Sequence, residues 1–332
     1  MKRGIIKSIF FQFSPIAILF TVQISFAGIN KNHSIIHIIT TNDLHGQITG
    51  QKATFMNPEY PPDILDASAM YHYVTELRKE TESKNEGILV LDGGNFFQGH
   101  PFGMADSGKT MIEWMNQIQY DALVPGSYDF IGGADNLNEL AESAHFPFLM
   151  ANLGTNNYSD KIKPFTIVPV SGIQIGIIGI IPHKLDETVL EQNRKGFSIL
   201  HEIETLNHWI PIMKKEGAEV ILVLTSLGVP WNREEVYAEF LDSLKTGSSS
   251  KYDINNALEL GYFSEEVDFI ISGGVSKGYP AIWYDPHSHV FISQNYGNGT
   301  EFGHLILHVS EDSHRFVGYE TAVDGRIGQT ML

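Results

Sequence analysis

The stretch Ile35-Ile-His-Ile-Ile-Thr-Thr-Asn-Asp-Leu-His-Gly46 is an apolar run that stops at Asp-x-His. Its isoleucines and threonines favour an extended strand. A strand ending there sets the carboxylate of Asp43 and the imidazole of His45 side by side at its carboxyl end. An oxygen and a nitrogen donor in that arrangement suit a divalent metal of hard to borderline character. What the protein can do then depends on what the other strand ends contribute.

Working outward, strand-like runs alternate with amphipathic patterns over most of the chain. Strands are predicted over 35–41, 87–91, 122–124, 148–151, 165–170, 173–181, 220–224, 267–271, 290–293 and 304–309. Helices are predicted over 64–81, 109–119, 136–144, 208–215 and 233–244. Such alternation implies crossover units and largely parallel sheets covered on both faces. The pattern becomes strand–turn–strand near the C-terminus, with Asn298-Gly299 as the turn signal. Gly247-Ser-Ser-Ser250 reads as a surface loop. One layered α/β domain over about 33–325 fits this order.

In open α/β sheets, ligands sit beyond the carboxyl ends of the strands. Those ends read Asp43-Leu-His45, Asp92-Gly-Gly-Asn95, Gly126-Ser-Tyr-Asp129, Thr225-Ser-Leu-Gly228 and Gly273-Gly-Val-Ser-Lys277. Five polar tips, most with glycine, point to a common cleft.

Composition narrows the classes of function. With 42% hydrophobic and 18% charged residues, the 332-residue chain can build a large core. Residues 1–27 read as an export signal: Lys2, Arg3 and Lys7 are followed by an uncharged, mostly apolar stretch and then Ser25-Phe26-Ala27, a small-x-small cleavage site. Its removal takes three cations and no acid, moving the net charge from −17 to about −20. That field disfavours nucleic acid and anionic membranes as partners. The mature chain is expected to be periplasmic or secreted and to lack a membrane span. Cysteine is absent, which excludes disulfides, thiolate metal sites and a cysteine nucleophile. Asn32, Asn157 and Asn298 open N-x-Ser/Thr triplets of a kind common by chance.

The chain resembles the calcineurin-like metallophosphoesterases of the 5′-nucleotidase type over nearly all of residues 35–310. That family reads T-N-D-x-H-G, L-D-A-G-D-x-F-Q-G, M-N-x-x-x-x-D-A-x-x-x-G-N-H-E-F, F-P-x-L-x-A-N, G-I-I-G, L-x-H-x-G and V-D-x-I-x-G-G-H-S-H. The corresponding stretches are Thr41–Gly46, Leu91–Gly99, Met115–Phe130, Phe146–Asn152, Gly176–Gly179, Leu224–Gly228 and Val267–Lys277. Each is weak alone; seven in order carry the resemblance. It implies a four-layer sandwich in which two mixed β-sheets pack together between helices. It also implies that the family's C-terminal nucleotide-binding domain is absent.

Family members hold two divalent metals that clamp a phosphoryl oxygen and generate a hydroxide, while a histidine protonates the leaving group. Carried over position by position, Asp43 and His45 are retained. The bridging aspartate falls on Asn95, the asparagine ligand on Ser127 and the proton-donating histidine on Tyr128. The later histidines fall on Ser226, Val275 and Lys277. Asn95 offers one neutral carbonyl and cannot bridge two dications as a carboxylate does. Val275 has no donor. An ammonium at Lys277, about 4 Å from a dication, would cost roughly 8 kcal/mol at an effective dielectric of about 20.

The resemblance therefore implies a member of a hydrolase family that has lost hydrolysis and acts by binding. At most one divalent metal is expected, at Asp43, His45 and Asn95, and no dinuclear centre. In the preferred arrangement Lys277 pairs with Asp43 and replaces the charge of a metal. Two alternatives stay open: a weak single-metal phosphoesterase with Tyr128 or His100 as proton donor, and an anion-binding module using Lys277 and His100. Asp129 is expected to orient Tyr128, and Asp92 to bond its own loop. His287 and His289 form a His-x-His pair expected at an exposed strand start. The partner is expected to be another envelope protein or a small anionic ligand.

Overall fold

A computed structural model describes residues 33–322 apart from 53, 55, 56, 62, 65 and 155–158. The export signal and the triplets at Asn32 and Asn157 lie outside the described residues.

The opening run forms strand His33–Thr41, an inner strand of a seven-stranded sheet. On one side it pairs parallel with Gly87–Asp92, followed by Ala122–Leu123, Phe148–Leu149 and Ile162–Lys163. On the other it pairs antiparallel with Gly303–Ser310, which pairs antiparallel with Phe316–Thr321. Across the first of those joins, His37 Nδ1 and His304 Nε2 share a hydrogen bond of 2.8 Å.

The second sheet has six strands. Ile173–Ile180, Val220–Thr225, Phe269–Ser272 and Phe291–Ser293 run parallel, while Phe165–Val170 and Trp283–Tyr284 lie antiparallel at its edges. Both sheets are thus mixed: the parallel strands run out to one edge of the first and fill the middle of the second. Buried side chains of the two, among them Ile36, Leu89, Ile175, Leu222 and Phe269, share one core. A second core lies between the other face of the second sheet and its helices, built from residues such as Ile178, Val223, Ile210 and Phe240. Two mixed sheets flanked by helices give the four-layer architecture expected from the sequence.

The long helices fall where the apolar spacing places them, with ends set by capping. Ala67–Lys84 starts after Asp66, whose carboxylate accepts from Ser68 N, and stops at Asn85 in a left-handed conformation. Arg233–Thr246 ends on Gly247 at φ +74°. One helix departs from expectation: Glu202–Lys215 begins six residues before the predicted 208, because Pro211 interrupts the periodic pattern inside it. Ala257–Tyr262, capped by Asn256, and strand Phe316–Thr321 were not anticipated. Among the described residues no helix is long and apolar enough to cross a membrane.

Candidate functional site

Two neighbouring tips of the first sheet turn by the same device. Asp43, His45 and Asn95 all adopt positive φ, at 50°, 50° and 59°. Asp, Asn and His tolerate this left-handed region better than other side chains, at on the order of 1 kcal/mol each. The strain is held by a backbone zipper. Asp43 N donates to Gly94 O, His45 N to Asn95 O and Gly46 N to Phe96 O, each at 2.8 Å. The tips of the two sheets meet at Gly93 and Gly273. A Cβ on Gly273 would lie 2.3 Å from Gly93 O, so any larger residue would push the sheets apart.

Asp43 sits at this junction, 1% exposed. Its carboxylate accepts from Asn95 Nδ2 at 2.7 Å, from Asn42 Nδ2 at 2.8 Å and from Gly274 N at 3.0 and 3.2 Å. The amides of two first-sheet tips and a backbone N–H of the second sheet thus converge on one anion. Asn95 shows Asp43 its amino group because its carbonyl accepts from Tyr128 N at 3.0 Å. The expectation of Asn95 as an oxygen donor beside Asp43 is therefore corrected: the carbonyl is turned toward Tyr128.

His45 keeps the character of a ligand. Its Nδ1 lies 2.9 Å from Gln98 O, which only accepts, so the proton is on Nδ1 and Nε2 carries a lone pair. Nε2 lies 3.8 Å from Asp43 Oδ1 and 3.4 Å from Ser276 Oγ. The ring of Tyr128, 53% exposed, stands edge-on to it at 5.3 Å.

Lys277 does not pair with Asp43. Its Nζ donates to Trp231 O at 2.8 Å and lies over the rings of Trp231 and Tyr279, at 5.1 and 4.9 Å. An ammonium gains more from two aromatic faces and water than from entering a buried pocket whose anion already has donors. Ser226 Oγ donates to Pro125 O, Ser127 Oγ accepts from Thr188 Oγ1, and Val275 packs against Gly228. The donor set does not fit two dications. Asp43 is met by N–H groups, Asn95 presents nitrogen, and the later positions are committed elsewhere or lack a donor.

Asp129 does not orient Tyr128 either. It is fully buried and accepts from the backbone N–H of Asn95, Gly126 and Phe96, at 2.7, 2.8 and 3.0 Å. Burial outweighs these bonds and pushes its carboxyl up to about 7. Asp92 bonds its own loop as expected, accepting from Gly94 N and from Thr41 Oγ1 at 2.6 Å. Burial pushes it well above the usual carboxylate range. His287 and His289 lie in the turn before strand Phe291–Ser293; one ring stacks on Tyr262 and the other contacts Tyr284.

Beside His45 a cavity of about 430 Å³ is lined by Gln47, Gln51, Gly99, His100 and Asn298. His100 caps a short helix, accepting from Phe102 N, and also forms part of this wall. The sequence singles out His45 and His100. The glutamines carry no motif of their own, and Asn42, Gly274 and Ser276 lie within motif stretches, but their parts around Asp43 and His45 emerge only from the fold.

No protein-family model matches the chain. It is 27% identical over 269 residues to the trifunctional nucleotide phosphoesterase protein YfkN of Bacillus subtilis, covering 74% of this chain and 17% of that protein. It is 28% identical over 219 residues to a snake venom 5′-nucleotidase of Crotalus adamanteus, covering 64% of this chain and 36% of the relative. The chain thus spans well under half the length of these curated relatives. Among solved structures, calcineurin-like phosphoesterase YfkN from Bacillus subtilis superposes with a TM-score of 0.65 at 20% identity, covering 88% of this chain and 92% of that one. The homologues and structural neighbours are 5′-nucleotidases and calcineurin-like phosphoesterases, and the chain has their metallophosphatase fold.

Proposed function

We propose that this chain, with phosphoesterase homologues of the 5′-nucleotidase kind, is an exported and catalytically degenerate member of that fold that works by binding. The supporting observation is the ring of N–H donors around Asp43, which gives the carboxylate its counter-charge from within the protein. The ligand is a small anion. In a chain of net charge −17, the cavity beside His45 is lined by two imidazoles, amides and glycine, and by no acid. His100 accepts from Phe102 N through Nδ1, which leaves its Nε2–H to donate, and the side-chain amides of Gln51 and Asn298 add neutral donors that can hold an anion without a metal. Export follows from residues 1–27, and N-terminal sequencing of the mature protein should begin at Gly28.

Metal analysis of purified protein at neutral pH, paired with assays on AMP and bis-p-nitrophenyl phosphate, tests this reading. The expected result is hydrolysis at background and no metal whose retention depends on Asp43 or His45. Two equivalents of metal with Asp43-dependent turnover would overturn it.

One observation favours a second reading, a weak phosphoesterase with a single metal. The bond from His45 Nδ1 to Gln98 O leaves Nε2 ready as a ligand near Asp43. Under that reading added Mn²⁺ or Mg²⁺ produces slow hydrolysis that His45→Ala abolishes. Activity indifferent to His45→Ala would end it.

A further inference from the structure

A second cluster of donors lies where strand Ile173–Ile180 gives way to the excursion leading to helix Glu202–Lys215. His183 follows the strand; His201 and Glu202 open the helix. One ligand atom from each of the three lies within 4.8 Å of the others, and the imidazole rings are 4.8 Å apart. Among the described residues it is the one group of three or more histidine or acidic side chains placed to share an ion.

Two of its polar atoms are left without a use inside the protein. His201 Nδ1 is buried and has no hydrogen-bond partner. Glu202 is 0% exposed, and its Oε1 accepts from His183 N at 2.7 Å and from His183 Nδ1 at 2.9 Å. Its Oε2, 2.8 Å from the same ring nitrogen, receives no hydrogen bond of its own. Buried lone pairs without donors are costly, and a cation satisfies them together. The ammonium of Lys184, next to His183 in sequence, is drawn to Asp253 and Asn255 instead. The helix N-terminus opposes a cation only weakly, and the buried carboxylate outweighs it.

The cluster is also held rigid. Asn152, fully buried, donates through Nδ2 to Ile181 O and Leu200 O, accepts from Ile181 N, and receives Leu200 N on its carbonyl. This clamp fixes the chain just before His183 and just before His201, so the two imidazoles are positioned before any ion arrives.

We propose that His183, His201 and Glu202 form a His₂-carboxylate site for a borderline divalent metal, with Zn²⁺ the best match. Three protein ligands leave a fourth position, which the partly exposed imidazoles turn toward solvent. The ligands must be deprotonated, so the metal competes with protons for them.

The test is calorimetric titration of the chelator-stripped full chain with ZnCl₂ at pH 7.5. One equivalent should bind, His45→Ala should retain it, and His201→Ala should weaken it by ~100-fold or more. His201 makes no side-chain cap bond, so the helix start does not depend on it, and circular dichroism checks the fold of the variant. Co²⁺ provides a readout on the His45→Ala protein that needs no change to the cluster: the intense visible bands of a tetrahedral ion should appear. No saturable equivalent in His45→Ala, equal binding by folded His201→Ala, or absence of the Co²⁺ bands would overturn the site.

Discussion

Asp129→Ala should destabilise the protein by on the order of 4 kcal/mol, measured by urea unfolding. The substitution leaves the buried N–H groups of Asn95, Gly126 and Phe96 without an acceptor, each at a cost of about 1–3 kcal/mol. Those bonds hold the tips of two neighbouring strands, so the effect should be global. A loss under about 1 kcal/mol would mean that the tips are held by something else. The same carboxyl sets a pH dependence. Its folded value of about 7 lies above its unfolded value of 3.8, so the fold binds the proton more tightly than the unfolded chain does. Its contribution is complete below pH 3.8 and is lost as pH rises through about 7. Asp121, pushed by burial to about 6, and Asp92 act in the same sense. His304, lowered by burial to about 4, opposes them, losing stability as pH falls from 6.5 toward 4. Three acids against one histidine predict a melting temperature that falls from pH 5 to pH 8, with a shallower slope in Asp129→Asn. A rise over that interval would contradict the assignment.

Asp43→Ala should cost about 3 kcal/mol, and by the same amount with or without EDTA. The carboxylate gathers N–H donors from Asn42, Asn95 and Gly274, and the last of these joins the second sheet to the first. Thermal melts of wild type and variant, each with and without chelator, separate this role from that of a metal ligand. If EDTA lowers wild type to the level of the variant, Asp43 serves a metal and the proposed loss of catalysis fails.

The layered fold and its cleft were legible because they rest on periodicity and on strand-end motifs, which are local. The retained pair Asp43 and His45 was legible for the same reason. Lys277 was not. Its side chain is long, and its actual partners, the Trp231 carbonyl and the rings of Trp231 and Tyr279, come from two separate loops whose approach no spacing rule gives. Asn95 was legible as a residue but not as an orientation, which the N–H of Tyr128 decides. The His183, His201 and Glu202 cluster escaped because Pro211 obscured where its helix begins. A helix start placed at residue 202 would have set an imidazole and a carboxylate at one cap, yet His183 joins them only through the Asn152 clamp.

The antiparallel join between His33–Thr41 and Gly303–Ser310 bears on how the chain is made. His33–Thr41 is soon followed by its neighbour Gly87–Asp92 on one side. On the other side it waits, since His37 and His304 are 267 positions apart. Pairings this distant in sequence slow folding, and an apolar strand with one open edge can capture other chains meanwhile. The first sheet therefore closes only once residues 303–310 have been made. A ribosome stalled before residue 303 would leave a sticky half-sheet, and a chain made through residue 310 has the means to seal it.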